Sequence, residues 1–260
     1  MSRFRSLLGT KAARGTLAAI FWLAAWQAVS FCAPKILFAS PRRTVAALAR
    51  LAGQGGFWLS VAHTLGKSAL GFLLAFVSAV LLAAVAHRFL VAKTLLEPAV
   101  QLMKSLPVAC FVVVALIWMP SAWISVLVAG FVVFPVTYIN LQDGLSRLDR
   151  QLDEMAQVFR VPFAARLRYL YLPQVLPGVL SGCRVSVGMC WKAGIAGEII
   201  GLPLHSIGEQ LYLSKFYMAV DELFAWSLVI IAISLVLEKL IARALRYLRR
   251  KMEGGYGDPV

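Results

Sequence analysis

Residues 154–173 read EMAQVFRVPFAARLRYLYLP and form a polar, basic segment within a chain that is otherwise strongly apolar. Pro162 disfavours helical geometry at Val161 and is well placed to open a following helix. The segment therefore predicts a short surface helix over 149–160, a break, and a second helix that leads into a membrane. Because nothing in lipid requires such an elbow, we interpret it as a docking surface for another protein.

The composition predicts an all-α, polytopic membrane protein. Hydrophobic residues make up 60% of the 260 residues and charged residues 15%, which lies outside the range of soluble domains. About 20 apolar residues span a bilayer as a helix, so several spans fit. The apolar runs are continuous rather than alternating, which favours helices over a β-barrel.

The apolar runs predict about six transmembrane helices in one domain. We expect a cytoplasmic segment over 1–14, a six-helix transmembrane domain over 15–245 that includes a cytoplasmic loop at 142–174, and a cytoplasmic tail over 246–260. An amphipathic helix is expected on the outer surface at 41–53, and Pro107 should kink the third span. The predicted spans are 15–33, 61–86, 95–118, 123–141, 175–200 and 223–242.

The distribution of basic residues predicts the orientation. Of the 26 Lys and Arg residues, 17 fall on the side that holds both termini and the 142–174 loop, and 5 fall on the other side. The positive-inside rule then places both termini in the cytoplasm. Anionic lipid headgroups are sufficient partners for the net charge of +14. Nucleic-acid binding is not predicted, because the sequence shows no basic face with stacking aromatic residues.

No catalytic, metal or cofactor site is predicted. The three histidines are far apart and the four cysteines form no CxxC pair, so no metal site is expected. No GxxxxGK[ST] sequence occurs, so no phosphate-binding P-loop is predicted in this chain. A membrane-embedded enzyme would need acidic, His or Cys side chains clustered at one face, and the chain holds only 12 Asp and Glu residues.

Charged side chains inside the predicted spans are candidates for a translocation pathway. Such charges are costly in lipid and usually face protein or water. The alternative is that they pair with backbone carbonyls or reach towards the headgroups. The charged candidates are Lys104 in the third span and Arg184, Lys192 and Glu198 in the fifth, and the polar Ser186 of the fifth span is a further candidate. In the fifth span, Gly178-x-x-x-Gly182 points to a helix interface.

The 154–173 segment resembles the cytoplasmic loop of permease subunits of binding-protein-dependent ABC importers. That family has Glu-Ala-Ala, three residues, Gly, nine residues, Ile, one residue and Leu-Pro. This chain has, at the same spacing, Glu154-Met155-Ala156, Arg160 in the Gly position, Leu170 in the Ile position, and Leu172-Pro173. Further stretches, among them Gly197-Glu198 and Ser206-Ile207-Gly208, resemble the nitrate, sulfonate and taurine branch.

The resemblance implies a transport subunit without an enzymatic activity of its own. ATP would be hydrolysed by separate ATPase subunits that bind the 153–160 helix. In that interface Glu154 would pair with a basic group, and Met155, Ala156 and Phe159 would supply contact area. The further partners implied are an extracytoplasmic binding protein and a second copy of the permease in a homodimer, with a distinct second permease as the alternative. The location implied is the inner membrane of a bacterial cell. The substrate would be a small solute such as a sulfonate, taurine or nitrate anion.

Two other functions stay open at this stage. One is import of a neutral, thiamine-precursor-type pyrimidine by the same machinery. The other is a small secondary transporter, which would be expected to show an inverted repeat and intramembrane acids. No repeat is visible in the chain.

Overall fold

The computed structural model describes residues 11–34 and 36–254, and these residues form helices, turns and bends without any β-strand. This confirms the predicted all-α class. The elements are Lys11–Cys32 (α1), Pro41–Ala52 (α2), Gly55–Arg88 (α3), Leu90–Ser105 (α4), Val108–Trp118 (α5), a 3-10 turn at Ser121–Trp123, Ile124–Ser146 (α6), Arg150–Val158 (α7), Phe163–Arg166 (α8), a π-helical turn at Leu167–Tyr171, Leu172–Gly201 (α9), Ile207–Phe216 (α10) and Val220–Gly254 (α11).

By length and composition, four segments among the described residues could cross a membrane: Gly15–Cys32, Gly55–Arg88, Ser121–Ser146 and Val220–Tyr247. The bent pair α4 and α5 makes a fifth if the two count as one span. Helix α9, the predicted fifth span, is long enough but carries Arg184, Lys192 and Glu198 and does not belong to this set. The chain is thus a multi-pass helical membrane protein, and the number six stays a prediction.

The kink predicted at Pro107 in the third span over 95–118 is present, but it is a break between two helices rather than a bend within one. Helix α4 ends at Ser105, α5 begins at Val108, and the two are bent by 109°. The physical reason is Pro107, which lacks an amide hydrogen and holds Leu106 in an extended conformation with ψ of 125°. By contrast, Pro98 and Pro135 lie inside continuous helices.

In the segment over 142–174, predicted as a loop with a helix–break–helix elbow, the structure has α7 and α8 together with the end of α6 and the start of α9. Helix α6 continues to Ser146, because Gln142 donates a hydrogen bond to the Ala83 carbonyl at 2.8 Å and Leu145 packs against the core. Helical backbone resumes at Arg150 with α7, and from Phe163 it runs without a break to Gly201. Of the predicted terminal segments, residues 1–10 and 255–260 lie outside the described residues, while 11–14 belong to α1 and 246–254 to α11.

The chain divides into two compact units. In the unit of residues 11–58 and 210–230, Ser40 caps the N-terminus of α2. The same helix forms two ion pairs, from Arg43 to Asp221 at 2.9 Å and from Arg50 to Glu222 at 2.6 Å. The helix predicted at 41–53 is therefore present, and Asp221 and Glu222 are the partners of its polar side.

In the unit of residues 59–209 and 231–254, α6 is the central helix and packs most extensively against α9. Glycines allow its neighbours to come close. A Cβ atom on Gly182 of α9 would lie 3.1 Å from the Asn140 side chain, and one on Gly197 would lie 3.0 Å from Val128. Gly178 faces the Asn140 carbonyl, which confirms the helix interface predicted from the Gly178-x-x-x-Gly182 spacing.

Helix α3 approaches α6 in the same way, which gives a test of this packing. A Cβ atom on Gly71 would lie 2.5 Å from the Val126 carbonyl oxygen and 2.8 Å from the Ala129 Cβ. We expect Gly71→Ala to lower the free energy of unfolding by about 1–3 kcal/mol, the usual effect of overpacking. Thermal unfolding of the purified chain in detergent measures the change.

Gly66→Ala is the matched control, because Gly66 lies on the same helix and a Cβ atom added there would meet nothing within 4 Å. Alanine favours helix by up to about 1 kcal/mol over glycine, so this variant should be as stable as the wild type or slightly more stable. Equal melting temperatures for the two variants would contradict the close approach of α3 to α6.

Candidate functional site

The elbow, defined here as residues 149–173, begins with a capped helix. The Asp149 side chain accepts hydrogen bonds from the amides of Gln151 at 2.9 Å and Leu152 at 3.3 Å. Its own amide donates to the Gln174 side chain at 2.9 Å. This arrangement satisfies amides at the start of α7 and ties that start to the base of α9.

Helix α7 ends in a Schellman motif that has arginine in the position usually held by glycine. Arg160 has φ of 50°, its amide donates to the Gln157 carbonyl at 3.0 Å, and the Val161 amide donates to the Ala156 carbonyl at 2.9 Å. The left-handed conformation usually falls to glycine because a Cβ atom makes it about 1–2 kcal/mol less favourable. Arg160 thus forms the turn itself, at the last residue of the helix predicted over 149–160.

A partly buried polar cluster, which the sequence reasoning missed, fastens α7 to the following helix. One carboxylate oxygen of Asp153 accepts hydrogen bonds from Arg166 and from the Tyr171 hydroxyl, both at 2.5 Å. Arg166 also donates to the Tyr171 hydroxyl at 2.8 Å, and Gln157 donates to the other Asp153 oxygen at 3.0 Å. Residues 13 and 18 positions away from Asp153 are therefore held against it.

The charges of its side chains and a π-helical turn in the following helix both stabilise this cluster. The hydrogen bonds from Tyr171 and Arg166 hold the pKa of the Asp153 carboxyl below its ordinary value of 3.8, and Asp153 raises the pKa of the Arg166 guanidinium. The group is thus an ion pair at neutral pH. Residues five apart lie on different faces of an α-helix, and the π-helical turn at Leu167–Tyr171 brings the Tyr171 hydroxyl to Arg166.

The elbow leaves an apolar surface open on α7 and its C-terminal turn. We call this surface the elbow face; its side chains, with their exposed fractions, are Leu152 (41%), Met155 (52%), Val158 (79%) and Phe159 (74%). Glu154 is exposed beside it, whereas Ala156 is 9% exposed and packs inside the chain. Val158 was absent from the predicted contact residues, although it adjoins Phe159 in the sequence.

The remaining predicted elbow residues lie on the next helical segment. Leu170 is half-buried within the π-helical turn, and Leu172 and Pro173 form the first turn of α9, with Leu172 45% exposed. They stand at the junction between the elbow and α9 rather than on the helix of Glu154. The predicted motif is therefore split between a surface helix and the base of a long helix.

The pathway candidates on α9 fall into an exposed pair and a buried pair. Arg184 and Lys192 are exposed, whereas Ser186 and Glu198 are fully buried. The Lys192 ammonium lies 3.9 Å from the carboxylate of Glu238 on α11, a partner that the sequence reasoning missed. Arg184 and the exposed Lys104 at the end of α4 have no ion pair among the residues that the structure describes.

Glu198 is the centre of a second, fully buried network. Its carboxylate accepts hydrogen bonds from the hydroxyls of Ser125 at 2.8 Å and Thr64 at 3.0 Å and from the Gly208 amide at 3.2 Å. The Thr64 hydroxyl in turn accepts from the Ile207 amide at 3.0 Å. One side chain therefore joins α3, α6, α9 and the start of α10, and the amides at a helix start suit a carboxylate.

Gly208 is required for this approach, since a Cβ atom there would lie 2.6 Å from the Glu198 carbonyl carbon. Gly197-Glu198 and Ser206-Ile207-Gly208, noted in the sequence as two separate elements, thus form one contact. Among the described residues no group of three or more His, Cys, Asp or Glu side chains could hold a metal ion.

The structure thus shows a multi-pass helical membrane protein with an elbow ahead of a charged, glycine-rich helix. Residues 44–254 match the family of binding-protein-dependent transport system inner membrane components. The match covers most of the chain, and the chain belongs to this family. It is accordingly a membrane permease component of an ABC import system.

Known relatives are transport permeases. SsuC of Bacillus subtilis (strain 168), named for aliphatic sulfonates transport, is 27% identical over 72% of this chain and 66% of its own length. The bicarbonate transport system permease protein CmpB of Synechococcus elongatus is 26% identical over 76% of this chain and 72% of its own. The taurine transport system permease protein TauC of Escherichia coli (strain K12) is 24% identical over 94% and 89%.

The Glu198 network gives a prediction about stability. Glu198→Ala would leave the buried Thr64, Ser125 and Gly208 donors without an acceptor, and each unsatisfied donor costs about 1–3 kcal/mol. We expect a loss of about 3 kcal/mol or more, seen as a lower melting temperature and as faster hydrogen exchange over residues 202–209.

Glu209→Ala serves as the control. Glu209 is partly exposed and accepts one hydrogen bond, from the His205 amide at 2.7 Å. Water can replace that acceptor, so the melting temperature should change little. Equal losses in the two variants would contradict the central position of Glu198.

Proposed function

We propose that this permease imports a small anion and that an ABC ATPase docks on the elbow face. The single observation that carries the docking is the exposed apolar surface of Leu152, Met155, Val158 and Phe159 beside Glu154, on a helix whose polar side is fastened to its own chain. Exposed apolar clusters of this kind mark protein interfaces, and a rim charge adds specificity. The basic character of the 147–168 segment supports a cytoplasmic position for it.

Coupling would run from the elbow to α9. Asp153 holds Arg166 and Tyr171, and Asp149 holds Gln174, so a displacement of α7 acts directly on the base of the following helix. From Phe163 to Gly201 the backbone is helical throughout, which supports a push from the ATPase being passed along α9. This helix carries Arg184 and Lys192 on its exposed side.

The substrate proposal rests on charge and on the relatives. The relatives are named for sulfonates, taurine, bicarbonate and nitrate, all of which carry an anionic group. Arg184 and Lys104 are exposed cations without an ion pair among the described residues, and Lys192 forms an ion pair with Glu238. Exposed cations on predicted spans would favour an anion in a water-filled path formed with a second permease.

The docking proposal predicts the effect of a charge on the elbow face. Val158→Asp puts a carboxylate where the ATPase would bury an apolar side chain, and Glu154→Arg reverses the adjacent charge. We expect each variant to reduce copurification of the ATPase encoded nearest to this chain by about tenfold or more, since an interface hot spot is worth about 2 kcal/mol or more.

Leu204→Asp is the matched control, because Leu204 is 73% exposed against 79% for Val158 and lies beyond the other end of α9. It should leave ATPase binding unchanged. If Val158→Asp and Glu154→Arg bind the ATPase as the wild type does, the elbow is not the docking site.

The substrate proposal predicts that Arg184→Gln and Lys192→Ala slow uptake of the anion several-fold while the complex stays assembled. Lys192→Ala also leaves Glu238 without its partner. The double variant Lys192→Ala with Glu238→Ala separates the two effects in a transport assay with reconstituted vesicles and the binding protein.

Slow uptake by the double variant supports a pathway role for Lys192, whereas recovery would mean that Lys192 only neutralises Glu238. Unchanged uptake in Arg184→Gln, or equal transport of a neutral pyrimidine, would overturn the anion assignment. Arg243→Gln, an exposed arginine elsewhere on α11, is the control for a general loss of positive charge.

A further inference from the structure

A polar cavity lies where the C-terminal ends of α3 and α6 meet α4. Its volume is about 910 Å³, within the range of small-molecule sites. It opens at the end of this unit from which the elbow emerges, since α6 ends at Ser146, which is one of its lining residues. The proposed functions of the elbow face and of the α9 cations make no use of this cavity.

The lining carries charges of both signs. Lys93 and Glu97 form an ion pair with each other at 3.6 Å. Arg88 and Asp143 also line the cavity, and neither has an ion pair among the described residues. A ligand with only an anionic group would be attracted by Arg88 and repelled by Asp143. A ligand with only a cationic group would be attracted by Asp143 and repelled by Arg88. A zwitterion satisfies both.

A buried hydroxyl points to a ligand as well. Tyr138 lines the cavity and is 2% exposed, yet its hydroxyl has no hydrogen-bond partner among the described residues. Buried polar groups are almost always paired, so an orphan donor calls for an acceptor. An oxyanion near Arg88 would supply it. The neighbouring Gln142 already uses its amide nitrogen on the Ala83 carbonyl, which leaves its oxygen as an acceptor for an ammonium group.

The surroundings match the depth of lipid headgroups. Directly after Arg88, the side chains of Phe89, Leu90 and Val91 are 58%, 78% and 72% exposed. An arginine at a helix end followed by exposed apolar residues is typical of the border between acyl chains and headgroups. Leu90 itself lines the cavity, so a lipid could place its headgroup inside and its chains along this surface.

We propose that this cavity binds a zwitterion that pairs an oxyanion with an ammonium group, and that the zwitterion is the headgroup of a phospholipid such as phosphatidylethanolamine. The phosphate is held by Arg88 and the Tyr138 hydroxyl, and the ammonium by Asp143 and the Gln142 oxygen. The inner-leaflet location rests on the proposed cytoplasmic position of the elbow. Binding itself does not depend on the proposed function, and it is tested on the chain without ATPase or transport.

The test measures lipid retained by the full-length chain after purification from nanodiscs of phosphatidylethanolamine or of phosphatidylglycerol, by native mass spectrometry. The variants are Arg88→Gln, Asp143→Asn and Tyr138→Phe, the last of which removes only the hydroxyl. We expect each to reduce retained phosphatidylethanolamine by about threefold to tenfold, the equivalent of one lost hydrogen bond or charge contact. Arg243→Gln, outside the cavity, should retain it as the wild type does.

A parallel titration with soluble O-phosphoethanolamine distinguishes the two sources of a zwitterion. Preference for phosphatidylethanolamine, lost in the three variants, supports the lipid headgroup. Binding of soluble O-phosphoethanolamine with the same sensitivity, but no lipid preference, supports the zwitterion site and overturns the lipid source. Equal retention of phosphatidylglycerol with no effect of Asp143→Asn, or equal loss in Arg243→Gln, overturns the proposal.

Discussion

The close approach of α6 to its neighbours is the constraint on which the larger unit depends. Gly71 of α3 and Gly182 and Gly197 of α9 each lie where a Cβ atom would meet α6 at 3.1 Å or less. In lipid, helices gain no hydrophobic free energy by association, so van der Waals contact at short range and interhelical hydrogen bonds must hold them together. The glycines provide the first, and the Glu198 network, which reaches Ser125 of α6, provides the second.

Helix α9 links the two ends of that unit. At its base, the Asp153 cluster and the Gln174 contact fasten the elbow, and at its far end Glu198 fastens α3, α6 and the start of α10. This geometry gives the proposed coupling a physical route, in which the same helix receives a push and presents Arg184 and Lys192.

The elbow illustrates what local sequence rules can and cannot predict. Pro162 indicated a break, and the break is present, but Arg160 makes it by adopting φ of 50° within a hydrogen-bonded Schellman motif. The spacing of the motif correctly indicated a short helix after Asp149. The contact of Asp153 with Arg166 and Tyr171 could not be read from spacing, because it requires a π-helical turn that no residue pattern indicated.

The sequence by itself determined the helical class, the break at the elbow, the α2 helix and the glycine interface, since these follow from composition, proline and glycine chemistry and local periodicity. Only the tertiary structure decided that Ala156, Ser186 and Glu198 face inward and that Lys192 meets Glu238. Those features depend on residues distant in the chain. Which face of a helix is covered, and by which partner, is set by packing between helices and has no signature in any single one of them.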